Sequence, residues 1–489
     1  MTAGVQGIVT QIRNSFLVVK NNLYNATWNV GVPSRWNFSL EVKRNEYELE
    51  IISITVRRSS EFLVGRVVSA TTTTTSDPRS LITEDNVRKV LKVDKGSEAL
   101  LKSWKVVDFT KSGDNFACLV TSVEVTYSTR DEGNCEASYV VKLNPNRKSG
   151  NFREAEPFLF EKEGKFYEEL VPALNGALAS ARQEPLRFPK CFLVSLEEEK
   201  EHLYFEDLRV RGFRMFDKKK GLDKSHVTLV ISELARLHGA SYLLKQKFLE
   251  GRAVTSKYEF LSKDFLTCSP NCTEIFVSWV QRAIDTGVTF LETVSGYETA
   301  TAWVKSIRSK VGFFLSEYLQ SKKFNSVCHG DCWNNNMLFR YNSEGLPVEV
   351  AFVDLQFSRE ASIASDLNYF LQTSVTGDVR RPNIDNFMSI YHSAYKEVLE
   401  GRNMPMPFTK EEILEEFKDK SVFGLLFAMV IIPLLLIEPE EGLQVSDTCF
   451  ETRMREIRVL SVAKLKTNLP HKSRFLAVFD ELMEIGLIS

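Results

Sequence analysis

The segment Val327-Cys328-His329-Gly330-Asp331-Cys332-Trp333-Asn334-Asn335-Asn336-Met337-Leu338-Phe339, followed by Phe352-Val353-Asp354-Leu355-Gln356, constrains the fold more than any other part of the chain. Short apolar runs bounded by polar residues read as buried strands. Here two such runs each deliver an acidic residue, Asp331 and Asp354, to a turn.

Upstream the pattern is β-rich. Ser103 to Asp108, Phe116 to Tyr127 and Ser138 to Leu143 favour strands, as do Cys191 to Ser195 and His202 to Asp207. Thr83 offers an N-cap for a short helix through Leu91, and Phe158, Phe160, Phe166, Tyr167 and Leu170 share a helical face between Phe152 and Leu170. From Val227 to Leu244 and onward the periodicity is almost wholly helical. β-rich first and helix-rich later predicts an α+β, bilobal arrangement with a small antiparallel sheet in the N-lobe and a mainly helical C-lobe.

Before this lies a different stretch. Trp36, Phe38, Leu40 and Val42 alternate, as do Tyr47, Leu49 and Ile51, which predicts two strands joined by a turn. Thr71 to Thr75 and Ser76-Asp77-Pro78 form a low-complexity break. The expected division is residues 1–79 as an N-terminal extension, 80–208 as N-lobe and hinge, and 209–489 as helical C-lobe.

Composition excludes several classes. With 62 Lys+Arg against 64 Asp+Glu there is no global field to attract nucleic acid or an anionic membrane. The apolar run Val422 to Ile437 contains Pro433 and is shorter than the roughly 20 residues of a spanning helix, so it reads as a core helix rather than a transmembrane segment. The 8 cysteines are scattered without a recognisable signal peptide, which points to reduced thiols and a cytoplasmic setting. The first 40 residues hold no Asp or Glu and three basic residues, Arg13, Lys20 and Arg35, a thin hint of a mitochondrial leader. Cys268/Cys272 and Cys328/Cys332 suggest zinc only weakly, since neither pair is CxxC.

The spacing Asp-x4-Asn from Asp331 to Asn336, with a later Asp354, matches the catalytic loop and metal-binding acid of protein kinases. Magnesium prefers hard oxygen ligands, which Asn336 and Asp354 supply, while Asp331 would align and deprotonate a hydroxyl acceptor. Such a site also needs a strand lysine for the phosphates of ATP and a helix glutamate to orient it. Lys142, ending Ser138 to Lys142, fits the first. Glu161, Glu163, Glu168 and Glu169 compete for the second, with Glu163 preferred. No GxGxxG loop is present, but the turn with Gly113 and Asn115 stands between the first two strands where phosphates are covered, and Glu206 and Leu208 close the fifth strand where a hinge would meet adenine.

Together these motifs resemble the ecdysteroid-kinase-like, or CHK kinase-like, family, related to choline kinases and aminoglycoside phosphotransferases. The resemblance runs from about Leu81 to the C-terminus. It rests on Gly113 to Ala117, Phe160 to Tyr167, Tyr204 to Leu208, Leu234 to Ser241, His329 to Asn336, Val353 to Arg359 and Asp366 to Leu371. It implies a protein-kinase-like fold, ATP and Mg2+ as cofactors, and phosphoryl transfer to a hydroxyl of a small lipophilic or hydroxylated molecule such as an ecdysteroid or xenobiotic. It also implies that His329 and Asp366 brace the catalytic loop. Leu355 departs from the family's usual Phe. Choline or ethanolamine as acceptor, or a catalytically silent module that keeps the fold, are the competing readings. Trp333, Phe339 and Tyr369, near the motif, read as core aromatics.

Overall fold

A computed structural model of the chain describes residues 27–31, 36–45, 48–58, 61–65, 77–108, 118–145, 155–263, 270–321, 323–437 and 450–489, with the strands before residue 66 and residues 270–271 and 450–455 described by backbone alone. Gly113, Asn115 and Cys268 lie outside them. The chain divides into two compact units, Met1–Ser76 and Asp77–Ser489. The first contains an antiparallel meander of β1 (Thr27–Gly31), β2 (Trp36–Asn45), β3 (Glu48–Arg58) and β4 (Glu61–Gly65). Of the two alternating stretches read in the sequence, Trp36 to Val42 lie in β2 and Leu49 and Ile51 in β3, Tyr47 falling outside the described residues; the strands pair from Trp36↔Arg58 to Asn45↔Glu48.

In the second unit the helix Glu84–Lys95 starts at Thr83, whose hydroxyl accepts from the Asn86 N–H at 3.3 Å. Glu84 and Asp85 in its first turn and Lys92 and Lys95 in its last oppose the helix dipole favourably. It is followed by a five-stranded antiparallel sheet ordered β5-β6-β7-β9-β8, formed by Leu100–Val107, Leu119–Ser128, Cys135–Leu143, His202–Glu206 and Cys191–Ser195 respectively. Along β7 the alternation of a strand buries Tyr139, Val141 and Leu143 with Val123, Val125 and Tyr204 on one face. Lys142 is thereby turned to the other face, paired in register with Val120 and Leu203.

Across that face lies the helix Glu156–Lys165, which continues through a π-helical turn at Phe166–Leu170 into Val171–Ser180. Gly164 sets the closeness of the approach: a Cβ there would lie 2.7 Å from Val194 on β8. The helix can therefore rest on the sheet and bring its carboxylates within reach of β7.

The rest of the unit is mainly helical, as expected, and the apolar run forms the helix Ser421–Leu434 with Ser421 to Pro433 all buried. The near-total helicity read beyond Val227 is interrupted by four short strands, β11 (Asn325–Cys328), β12 (Met337–Tyr341), β13 (Pro347–Phe352) and β14 (Arg359–Ser362), of which β11 and β13 are the apolar runs read as strands ahead of Asp331 and Asp354; β10 (Arg214–Met215) precedes them. They form the sheet β10-β12-β13 and the pair β11-β14. Among the described residues no helix is long and apolar enough to cross a membrane.

Candidate functional site

The hairpin of β12 and β13 places the two sequence motifs side by side. Met337 pairs with Phe352, and the pairing extends one step further through the Val353 N–H, which donates to the Asn336 carbonyl at 3.0 Å. Asn336 and Asp354 thus leave the same end of one hairpin. Asp354 takes φ +66°, in the left-handed region that short polar side chains tolerate better than most.

From the sheet side, Lys142 reaches Asp354. Its ammonium donates to Glu163 Oε2 at 2.5 Å, Asp354 Oδ1 at 2.7 Å and Gln356 Oε1 at 3.3 Å. Glu163 also accepts the Leu355 N–H at 3.2 Å, so the helix glutamate binds the lysine and the turn that follows Asp354. Of its three rivals, Glu161 pairs with Lys165 instead. The Lys142 and Glu163 side chains are 7% and 2% exposed, whereas Asp354 keeps 28%. Burial alone would drive proton loss from Lys142, but the charges of Asp354 and Glu163 outweigh it and hold the amine well above its ordinary pKa.

Asp331 is tied at both oxygens. Tyr369 donates its hydroxyl to Oδ1 at 2.6 Å, and Asn336 donates its amide to Oδ2 at 2.8 Å and to the Asp331 carbonyl at 2.9 Å. Burial raises the Asp331 pKa, the nearby Asp354 charge adds to the rise, and the hydrogen bonds from Tyr369 and Asn336 oppose it. A carboxylate with its pKa moved upward and its orientation fixed is suited to accepting a proton.

The loop holding Asp331 is gripped from behind by the helix Ile363–Ser374. Asp366 accepts the N–H of His329 at 2.7 Å and of Gly330 at 2.9 Å. His238 donates to it from Nε2 at 3.3 Å and accepts at Nδ1 from the Tyr391 hydroxyl at 2.8 Å. Although burial pushes the Asp366 pKa up, these donors hold it below the ordinary value. His329 adds a second tie, donating from Nε2 to the Val353 carbonyl at 3.1 Å and accepting the Asp331 N–H at Nδ1 at 3.3 Å. The imidazole therefore links the two acid-bearing turns. Gly330 has φ +83°, and a Cβ there would lie 2.0 Å from the Phe357 carbonyl, so the middle residue of His-Gly-Asp admits no side chain.

The motif Leu234 to Ser241 lies on the helix Lys224–Leu243 and serves the same loop. Besides His238, the Ser241 hydroxyl accepts the Val327 N–H at 2.9 Å, and Gly239 admits the helix Ile384–Glu400, with a Cβ position 3.1 Å from Val398. Glu206 and Leu208 stand apart from the ionic cluster. Glu206 accepts from Lys190 N at 3.2 Å and Arg211 Nη1 at 3.2 Å, and Leu208 packs with Phe213 and Ala351. Their side chains are thus engaged within the fold, three and five residues beyond Leu203, the register partner of Lys142.

The donor set suits a hard divalent cation. With its amide nitrogen spent on Asp331, Asn336 retains its carbonyl oxygen, and Asp354 supplies a partly exposed carboxylate. Cys332 does not join Cys328 as a zinc ligand pair: both are buried thiols whose pKa values burial raises, and Cys328 Sγ donates to the Ala361 carbonyl. The other group with ligand chemistry among the described residues, His238, Cys328 and Asp366, is committed to the hydrogen bonds just given.

Tyr369 is the residue that reading by type assigned to the core and the structure places on Asp331. Its position three residues after Asp366 on one helix was the available signal, since such residues share a face. Its ring joins a buried aromatic cluster: centroids lie 4.3 Å from Phe427, which lies 4.8 Å from Phe423 and 6.2 Å from Phe276, itself 5.7 Å from Trp279.

Sheet, lysine–glutamate pair and two linked acid turns define a kinase-like protein. The chain belongs to the ecdysteroid kinase-like family, whose model matches residues 112–404. No curated protein matches it. Among solved structures, ethanolamine kinase from Plasmodium vivax is 10% identical with a TM-score of 0.35, covering 81% of this chain and 96% of its own. Choline kinase from Cryptosporidium parvum is 11% identical with a TM-score of 0.38, covering 83% and 98%. The GDP and kanamycin complex of APH(2")-IIia is 10% identical with a TM-score of 0.34, covering 79% and 100%.

Proposed function

We propose that this protein is an ATP- and magnesium-dependent kinase that transfers the γ-phosphoryl group to a hydroxyl of a small lipophilic or hydroxylated molecule, ecdysteroid-like or xenobiotic. The observation that carries the reading is Lys142 held between Glu163 and Asp354 at 2.5 and 2.7 Å, beside a loop that fixes Asp331 and Asn336. In this reading residues 80–208 form the N-lobe and hinge and 209–489 the C-lobe. Lys142, oriented by Glu163, binds the ATP phosphates, which the turn of Gly113 and Asn115 covers, and the chain at Glu206 to Leu208 meets adenine. Asn336 and Asp354 hold magnesium, which when bound offsets the charge of the phosphates. Asp331 orients the acceptor hydroxyl and takes its proton, while His329 and Asp366 keep its loop in place. The aromatic cluster that runs from Tyr369, beside Asp331, to Trp279 makes the surroundings of Asp331 apolar, which favours an apolar acceptor.

ADP release from MgATP, measured across ecdysteroids, glycosides, choline and ethanolamine, tests this. An apolar hydroxyl acceptor should stimulate release, Asp331→Asn should lower it by roughly 10²–10⁴-fold, and Asp354→Ala should abolish it. Stimulation by choline or ethanolamine alone would replace the acceptor class. Absence of any Asp331-dependent release, with the panel or with extract fractions, would refute the enzyme reading in favour of a silent module.

A further inference from the structure

The proposal that Asp331 is the base leaves open what holds its carboxylate in one orientation. A short acid side chain on a loop rotates about its last bond, and a base must keep one lone pair aimed at the acceptor hydroxyl while the others are occupied. The backbone ties from Asp366 and His329 fix where the loop runs but not how the Asp331 carboxylate is turned. Asn336 fixes one oxygen only.

The second oxygen belongs to Tyr369. Its hydroxyl donates to Oδ1 at 2.6 Å, a charge-assisted bond, and the residue is only 3% exposed. The phenol is immobile for two separate reasons. Its ring is packed on Phe427 at 4.3 Å, and its backbone lies on the helix Ile363–Ser374, one turn after Asp366, which grips the loop. One helix face thus sends a carboxylate to the loop's N–H groups and a hydroxyl to the loop's acid. A buried phenol hydroxyl needs some acceptor, and here the acceptor is the carboxylate that the loop presents.

Resting on the reading of Asp331 as base, we infer that Tyr369 is a positioning residue for phosphoryl transfer: with Asn336 on the opposite oxygen, its hydroxyl locks the Asp331 carboxylate and leaves a defined lone pair for the acceptor. Tyr369 acts through Asp331 and exchanges no proton with the substrate. Loss of the hydroxyl frees the carboxylate to turn toward solvent, so the fault appears in turnover and not in nucleotide affinity.

The test compares Tyr369→Phe, which keeps the ring on Phe427, with Asp331→Ala and the double variant, using the full chain. Two readouts are taken: ADP release from MgATP with an ecdysteroid as acceptor, and the urea midpoint of unfolding. Tyr369→Phe is expected to lower kcat about 10- to 100-fold with the KM for ATP within about twofold of the parent. It should lower the midpoint in the parent chain but leave it unchanged or raise it beside Asp331→Ala, where the phenol has lost its acceptor and is a buried unpaired hydroxyl. Parent-like kcat for Tyr369→Phe, or an equal midpoint loss in both backgrounds, overturns the inference. If Asp331→Ala leaves ADP release unchanged, the base reading falls instead. If the ecdysteroid is not turned over, the midpoint cycle decides: coupling between Tyr369 and Asp331 supports the lock on the carboxylate, and its absence overturns the inference.

Discussion

Replacing Asp366 removes the acceptor for two backbone N–H groups at once. Its carboxylate, 1% exposed, takes the His329 N–H at 2.7 Å and the Gly330 N–H at 2.9 Å, with His238 at 3.3 Å. Hydrogen bonds to a charged group contribute roughly 1.5–3 kcal/mol each, and buried donors left unpaired cost a similar amount. Asp366→Ala should therefore destabilise the chain by about 3–6 kcal/mol. Asp366→Asn keeps one acceptor oxygen but turns an NH2 toward the second N–H, and should cost about 2–4 kcal/mol. Urea unfolding followed by circular dichroism at neutral pH measures both. Acid sharpens the comparison. The folded-state pKa of Asp366 is lowered, so its contribution is complete above the unfolded value of about 3.9 and is lost as pH falls through the folded value. The parent should therefore lose stability over that acid range more steeply than Asp366→Asn. An Asp366→Ala protein within about 1 kcal/mol of the parent would mean the two N–H groups find other partners, and the brace argument would fail.

Further substitutions probe the other end of this helix and the residues that follow it. Arg380, fully buried, donates to the carbonyls of Leu371 at 2.9 Å and Val375 at 2.6 Å and pairs with Glu481 at 2.6 Å; Arg380→Met should cost about 3–5 kcal/mol, Glu481→Gln less, and a thermal-melt double-mutant cycle showing no coupling would contradict the pairing. His471 is held at a pKa of about 4 by burial and by the positive charges of Arg474 and Lys219. Because the unfolded side chain titrates near 6.5, the unfolded state binds the extra proton between those values, so stability should fall by up to about 3 kcal/mol as pH drops from about 6.5 to 4. His471→Gln should flatten that slope, and an unchanged slope would assign it to another group.

Much of the scaffold could be read from local pattern because local pattern produced it. Cys191–Ser195 forms a strand with the expected bounds, whereas the strand-end Lys142 and the preferred Glu163 among four glutamates were named from the order of a kinase site, and strand alternation then turns Lys142 toward Glu163. The short strands β10 and β12 were harder to see. Their stability comes from pairing across long sequence separations, as with Arg214↔Phe339, and two residues of Arg214–Met215 carry no period. The role of Tyr369 was masked because a buried aromatic is ordinarily a packing residue, and only the third dimension shows where its hydroxyl ends. Arg380 and Glu481, 101 positions apart, leave no local trace of their pairing.

The helix Ile363–Ser374 explains why so much polarity is tolerated in the interior. All twelve of its residues are buried, yet they include Asp366, Asn368, Gln372, Thr373 and Ser374. Each finds a use within the chain. Asn368 donates to the carbonyls of Ala364 at 3.0 Å and Phe417 at 2.9 Å, and Gln372 donates to the Ser421 carbonyl at 3.3 Å. Gly424 permits the helix Ser421–Leu434 to lie against them, since a Cβ there would sit 2.8 Å from the Asn368 carbonyl. At the C-terminal end, where carbonyls lack helical partners, Arg380 and Arg474 supply buried positive charge, Arg474 reaching the Thr373 carbonyl. At the N-terminal end Asp366 presents negative charge to the loop's N–H groups, and one turn later Tyr369 presents a donor to the loop's acid. An apolar helix of the same shape would bury more hydrocarbon, but it could not dictate both the path of the loop and the orientation of Asp331. The polar interior is thus the means by which a rigid element reaches a mobile class of structure, an acid on a turn, and holds it still.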